Sequence, residues 1–297
     1  MRIFPRLRGA NQTADSPSAA GSSVRRHLLA ACVLLMALVA SFYMLFPESA
    51  LEERIEYEVA RGTGVELDLS GLRLLFPPGL SARKAVLQDE ALPVSAPELS
   101  ALRVKPLWST LMGDDPGIAF DARLLGGTVG GTALRNGEVE AQLEQVSYSA
   151  PLMAGSSLAV AATLSKGSFR GRLPLHQAKN SRLELNLERA EISGLGSVGS
   201  PQDSLSLGSV QLLGTGKGKT FKIEKLESSG GDLDASGTGT VILTEPLGRS
   251  RLSLNLALRP GQALDKGLAD LLGLFAKKNR DGSYRLRVGG TLAKPRI

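Results

Sequence analysis

From Leu28 to Phe46 the chain reads LLAACVLLMALVASFYMLF, with no charged side chain. A helix rises 1.5 Å per residue, so about 20 apolar residues cross the hydrocarbon core of a bilayer. Arg25, Arg26 and His27 stand directly before this run, and Glu48, Glu52 and Glu53 follow it. The bias of positive charge to the cytoplasmic side predicts a single span with its N-terminus in the cytoplasm and all that follows outside the inner membrane of a bacterium. The expected span includes Leu28, Leu35, Leu38 and Phe42, while Tyr43 and Phe46 suit the far interface. Two rivals are weaker. A cleaved signal peptide needs small residues before the cut, and Leu38-Val39-Ala40 fits poorly. A buried core helix is rarely uncharged over such a length.

The span divides the chain. Residues 1–27 are rich in Ser, Ala, Gly and Arg and read as a disordered cytoplasmic tail. Arg2, Arg6, Arg8, Arg25 and Arg26 against Asp15 account for most of the net charge of +6. What remains, residues 47–297, is close to neutral, which speaks against a nucleic-acid-binding surface; basic patches interleaved with aromatics are absent as well.

Residues 47–297 are expected to form a periplasmic, largely antiparallel, curved or groove-like β-sheet domain with one or two helices. Leu51, Ile55 and Val59 recur at helical spacing and predict a helix over 48–61, stopped by Gly62 and Gly64. Apolar residues then alternate with polar ones at Val65-Leu67-Leu69, Leu102-Val104, Val139-Ala141-Leu143, Leu183-Leu185-Leu187, Phe221-Ile223, Leu252 to Leu258 and Tyr284-Leu286-Val288. Period two means strands with one buried face. Glycine clusters at Gly126 to Gly131, Gly167 to Gly171, Gly230 to Gly239 and Gly289-Gly290 suit tight turns entering the next strand of a meander. A second helix is expected over 262–278, with Leu264, Leu268, Leu271, Leu272 and Phe275 as its apolar stripe and Lys277 and Lys278 at its C-terminal end. Packing on the sheet is its ordinary role, and a peripheral membrane contact is the rival.

Catalytic chemistry finds few residues to use. His27 and His176 are the only histidines and Cys32 the only cysteine, so a His/Cys zinc site and a Cys–His dyad are excluded. No nucleophile elbow accompanies His176, which reads as a solvated surface residue in a turn. Gly214 to Thr220 imitates a phosphate loop, but Leu213 stands where the first glycine belongs and Phe221 to Glu224 alternates as a strand. Asp232 and Asp234 flank Leu233 without the further oxygens that calcium requires, and Asp114-Asp115-Pro116-Gly117 is a turn signature. No catalytic, cofactor or metal residues are therefore expected, and the chain reads as a protein that is not an enzyme.

The order of parts is itself informative. A short tail, a span, Phe46-Pro47, a helix and Gly62-x-Gly64 precede Phe76-Pro77-Pro78-Gly79-Leu80. Val104-Lys105-Pro106-Leu107-Trp108, Leu111-Met112-Gly113, Gly126-Gly127 and a terminal Val288-Gly289-Gly290-Thr291-Leu292-Ala293-Lys294-Pro295 follow. From Leu28 to the C-terminus this resembles the GspN-type protein of type II secretion operons, in its deltaproteobacterial-like form. It is similar, more widely, to AsmA-like envelope proteins, although shorter than those that bridge the periplasm. The first resemblance implies an accessory subunit of the secretion apparatus whose partners are other subunits of that machine. The second implies a lipid-binding or lipid-transfer module that holds acyl chains. Neither carries catalytic residues.

Overall fold

Strand after strand in this chain pairs with the strand that precedes it. The computed structural model describes residues 29–38, 41, 43, 45, 47–63, 66–88, 98–110, 113–151, 157–200, 202–245, 247–261 and 264–296. It divides into two units, Met1–Pro47 and Glu48–Ile297.

In the first unit, residues 29–38 are helical (α1), as are 41 and 43, so Leu35, Leu38 and Tyr43 of the expected span lie on helix. Arg25, Arg26, Leu28, Phe42 and Phe46 lie outside the described residues. Among the described residues no helix is long and apolar enough to cross a membrane.

The second unit opens with α2 (Glu48–Thr63), where helical spacing predicts one. The strands are β1 (Glu66–Ser70), β2 (Arg73–Leu75), β3 (Gly79–Gln88), β4 (Glu98–Pro106), β5 (Gly117–Leu124), β6 (Gly127–Leu134), β7 (Glu138–Pro151) and β8 (Ala159–Arg172). They continue as β9 (Ser181–Ser193), β10 (Ser204–Lys217), β11 (Thr220–Ser229), β12 (Leu233–Ile242) and β13 (Arg251–Pro260). Helix α3 (Lys266–Phe275) interrupts them before β14 (Lys277–Lys278), β15 (Tyr284–Gly290) and β16 (Pro295–Arg296). All belong to one open, 16-stranded antiparallel sheet in the order β1-β3-β4-β5-β6-β7-β8-β9-β10-β11-β12-β13-β15-β14, with β2 on β3 and β16 on β15. The mainly antiparallel β architecture expected from period-two patterning is thus present.

The register produces two faces of opposite character. At one level the aligned partners are Leu80, Val104, Phe120, Gly131, Ala141, Phe169, Leu183, Gly214, Ile223, Gly239, Leu254 and Val288. No polar side chain interrupts that row across twelve strands. One residue along, the partners Ser81, Arg103, Asp121, Gly130, Gln142, Ser168 and Glu184 point to the other side. Exposed ion pairs such as Arg170 to Glu140 (2.6 Å) and Arg182 to Glu184 (2.6 Å) lie on that polar face.

Three clusters of buried residues anchor the sheet. At the β1 end, Leu51 and Ile55 of α2 pack on Leu69, Leu72, Ala82 and Ala85. At the far end, Leu268 and Ala276 pack on Leu205, Leu233, Leu258 and Tyr284. The third joins Ile223, Val241 and Leu243 with Leu175 and Phe221.

Three expectations need correction. Gly167 to Gly171 is no turn; it lies inside β8, where Gly167 faces Leu143 and Leu185 across the sheet. Lys277 and Lys278 do not end α3. Ala276 is already extended (φ −129°, ψ 141°), and the two lysines form β14 against Arg285 and Tyr284. His176 is not a solvated side chain: it is partly buried, and its Nδ1 lies 2.8 Å from Glu245 Oε1.

Candidate functional site: an apolar sheet face without a cover

Glycine occupies the apolar face of alternate strands. Gly131 (β6), Gly167 (β8), Gly214 and Gly216 (β10), and Gly237 and Gly239 (β12) stand beside strands carrying Phe120, Leu183, Leu185, Phe221, Ile223, Leu254 and Leu256. The large side chains lean over the glycines. A Cβ at Gly214 would collide with the Phe221 ring, one at Gly237 would lie 2.6 Å from Leu256 Cδ2, and one at Gly167 would lie 3.0 Å from Leu164 Cδ2. Small residues on every second strand leave room for the large side chains of the neighbouring strands.

Bulges interrupt several strands. Gln145 (φ 54°) and Arg189 (φ 53°), with Gly208 (φ 67°), adopt left-handed backbone inside β7, β9 and β10. Register shifts accompany them between β8 and β9 and between β9 and β10. An extra residue in one strand kinks it and raises its twist.

In the middle of the apolar face Ala122, Val146 and Ala162 are buried, but they form no cluster. Among the described residues, none of the three buried clusters includes a residue of β5, β6, β7 or β8. Phe120, Val129, Leu143, Leu164, Phe169 and Leu183 are all half-buried. Adjacent strands lie about 4.8 Å apart, so five strands from β5 to β9 give a strip about 20 Å wide. β7 and β8 have 14 residues each, about 45 Å of strand at 3.3 Å per residue. Half-buried apolar side chains that join no buried cluster make this strip the candidate interaction surface.

Both sheet edges are blunted. At β1, Glu56 Oε1 accepts from the Leu69 amide (2.7 Å) and Glu52 Oε1 accepts from the Leu72 amide (2.7 Å). At β15, the two-residue strands β14 and β16 pair with Tyr284-Arg285 and Gly289-Gly290, leaving only residues 286–288 open on that side. Short or covered edges discourage strand addition.

The residues weighed for chemistry are scattered. Asp232 Oδ2 accepts from the Ser206 amide (2.9 Å), and Asp234 is exposed. Asp115 Oδ2 accepts from Asn136 Nδ2 (3.1 Å). Gly218-Lys219 is the hairpin turn between β10 and β11, so no helix N-terminus follows the imitation phosphate loop. No group of His, Cys, Asp and Glu able to hold a metal occurs among the described residues. The sequence reading missed the strip itself, whose signal lay in the glycines opposite the leucines. Comparison with family models, with curated proteins and with solved structures finds no match to this chain.

Proposed function

We propose that this chain is an envelope module that holds lipid acyl chains against the apolar face of β5–β9, tethered to the bacterial inner membrane by Leu28–Phe46 with its sheet in the periplasm. The observation that carries this reading is the uncovered strip, whose half-buried Phe and Leu side chains belong to no core cluster. A sheet that served only as scaffold would cover such a face with a second layer. On this reading the chain acts by binding rather than catalysis; Asp115, Asp232 and the His176–Glu245 pair lie in separate turns.

The test is photocrosslinking in living cells. A photoreactive phenylalanine analogue replaces Phe169, Leu143 or Leu185 in the full chain, with Gln142 and Ser168 on the polar face as controls, and phosphate-labelled phospholipid is followed. Labelled adducts at the first three positions and none at the controls are expected. Absence of lipid adducts at all five rejects the reading.

A second reading, an accessory subunit of the type II secretion apparatus, is favoured by the open stretch at 286–288 in β15, onto which a partner strand could add. The same crosslinker placed at Arg287, with capture of secretion subunits instead of lipid, separates the two.

A further inference from the structure

The connecting turns of the sheet fall at two ends, and these differ among the described residues. One end holds the β2–β3, β4–β5, β6–β7, β8–β9, β10–β11 and β12–β13 turns and the segment after β15. Among the described residues of the strands and their turns, the exposed large apolar side chains are there, including Phe76 (81% exposed), Trp108 (59%), Leu173, Ile118, Leu247 and Leu292. Only Leu125 and Tyr148 lie toward the opposite end. The turns of the first end also carry exposed Arg135, Lys179, Lys219, Arg249 and Lys294 against Asp114, Asp115 and Glu245, and Glu245 is paired with His176.

This rim is fixed in place. Backbone bonds link its loops in succession: Arg135 N to Pro116 O (2.9 Å), Leu173 N to Gly137 O (2.8 Å), Gly218 N to Ala178 O (2.7 Å), Leu243 N to Lys219 O (2.7 Å) and Ala293 N to Gly248 O (3.0 Å). Thr110 Oγ1 donates to Leu107 O (2.8 Å) and accepts from the Gly117 amide (2.9 Å), which holds the turn bearing Trp108. Exposed apolar side chains on a rigid rim are a standing cost in water unless something covers them.

Chain direction says what covers them. Glu56 meets Leu69 and Glu52 meets Leu72, so toward its N-terminus α2 runs toward the β2–β3 turn. Glu48, the first residue of this unit and separated in sequence from the apolar segment Leu28–Phe46 by Pro47 alone, therefore lies at the apolar, cationic end. We infer that this rim is a membrane-docking surface that rests on an anionic phospholipid leaflet. Trp108, Phe76 and Leu173 enter the headgroup boundary, where amphipathic and apolar rings settle. The Lys and Arg side chains meet lipid phosphates, an attraction that acts within about a Debye length of an anionic surface. Docking at the rim does not depend on acyl chains lying along β5–β9.

Trp108 is the only tryptophan in the chain, so its emission reports on the rim alone. The full chain is reconstituted into vesicles of phosphatidylethanolamine and phosphatidylglycerol whose acyl chains are brominated near the headgroup, and into matching phosphatidylcholine vesicles. Trp108 emission is expected to be blue-shifted and at least halved by bromine in the anionic vesicles, and quenched less in phosphatidylcholine. A double variant, W108F with Y148W, puts the reporter toward the other end and should stay unquenched. Unquenched Trp108 in the anionic vesicles overturns the proposal and leaves a protein partner for the rim. Equal quenching at position 148 overturns it too. Charge reversal at Lys219 and Arg249 should lower the quenching to the phosphatidylcholine level, and no change would reject the anionic requirement.

Discussion

At the residue scale, glycine and leucine divide the work of the apolar face. Gly239 leaves room for the Leu254 side chain, and a Cβ there would also approach Ser253 O to 2.6 Å. Gly239→Val should destabilise the sheet by about 1–3 kcal/mol, as overpacking does, read as a lower urea midpoint for the detergent-solubilised chain. The same division explains what was legible in the sequence. The strands with Leu, Ile or Phe at period two, namely β7, β9, β11, β13 and β15, announce themselves. In β6, β8, β10 and β12 glycine and alanine hold many of the inward positions, so the alternation carries little hydrophobic contrast, and Gly167 to Gly171 passes for a turn. A second residue-scale prediction concerns Asp281. Its carboxylate accepts from Ser283 Oγ (2.7 Å) and from the Ser283 amide (3.1 Å), which hold its pKa below the ordinary value. The bonds favour the ionised form, so their support for the turn is full above the unfolded pKa and is lost as pH falls through the lower folded one. An NMR titration of the Ser283 amide should show a midpoint below that of a free aspartate, and D281N should abolish it.

At the scale of elements, the two ends of the sheet are finished by different chemistry. Helix α2 lends carboxylates to the edge strand, whereas α3 lends apolar bulk, with Asp265 capping its first turn through the Gly267 amide (2.7 Å). Removing Glu56 by substitution with Ala leaves the Leu69 amide without an acceptor, a cost of about 1–3 kcal/mol for a buried group and less for this partly buried one. Hydrogen exchange at Leu69 should accelerate roughly tenfold, while amides of β9 keep their protection. Both helices were legible because their apolar stripes recur at 3.6 residues. The carboxylate bonds were not, since Glu52 and Glu56 read from sequence as part of a solvated helical face.

For the whole molecule, sequence patterning announced an antiparallel meander, but not where its apolar surface would stay uncovered. Composition cannot separate a sheet that folds onto itself from one that keeps a face open; that depends on which strands meet a helix. Three charges introduced along the strip, at Leu143, Phe169 and Leu185, should therefore be tolerated better than one at Leu258, which is 6% exposed within a core cluster. Replacing Leu258 by Asp buries an unpaired charge and should abolish folding. The triple variant should keep its far-ultraviolet circular dichroism spectrum and lose any phospholipid that copurifies.

The strand order has a consequence for how the chain is made. From β3 to β13 every strand finds its partner immediately behind it in the chain, so no pairing waits for a distant segment. Local pairing of this kind keeps the entropy of loop closure small and favours quick assembly. As the polypeptide emerges N-terminus first, each new strand is a template for the next. The growing edge is always the most recent strand, and only α3 with β14, β15 and β16 brings growth to a stop.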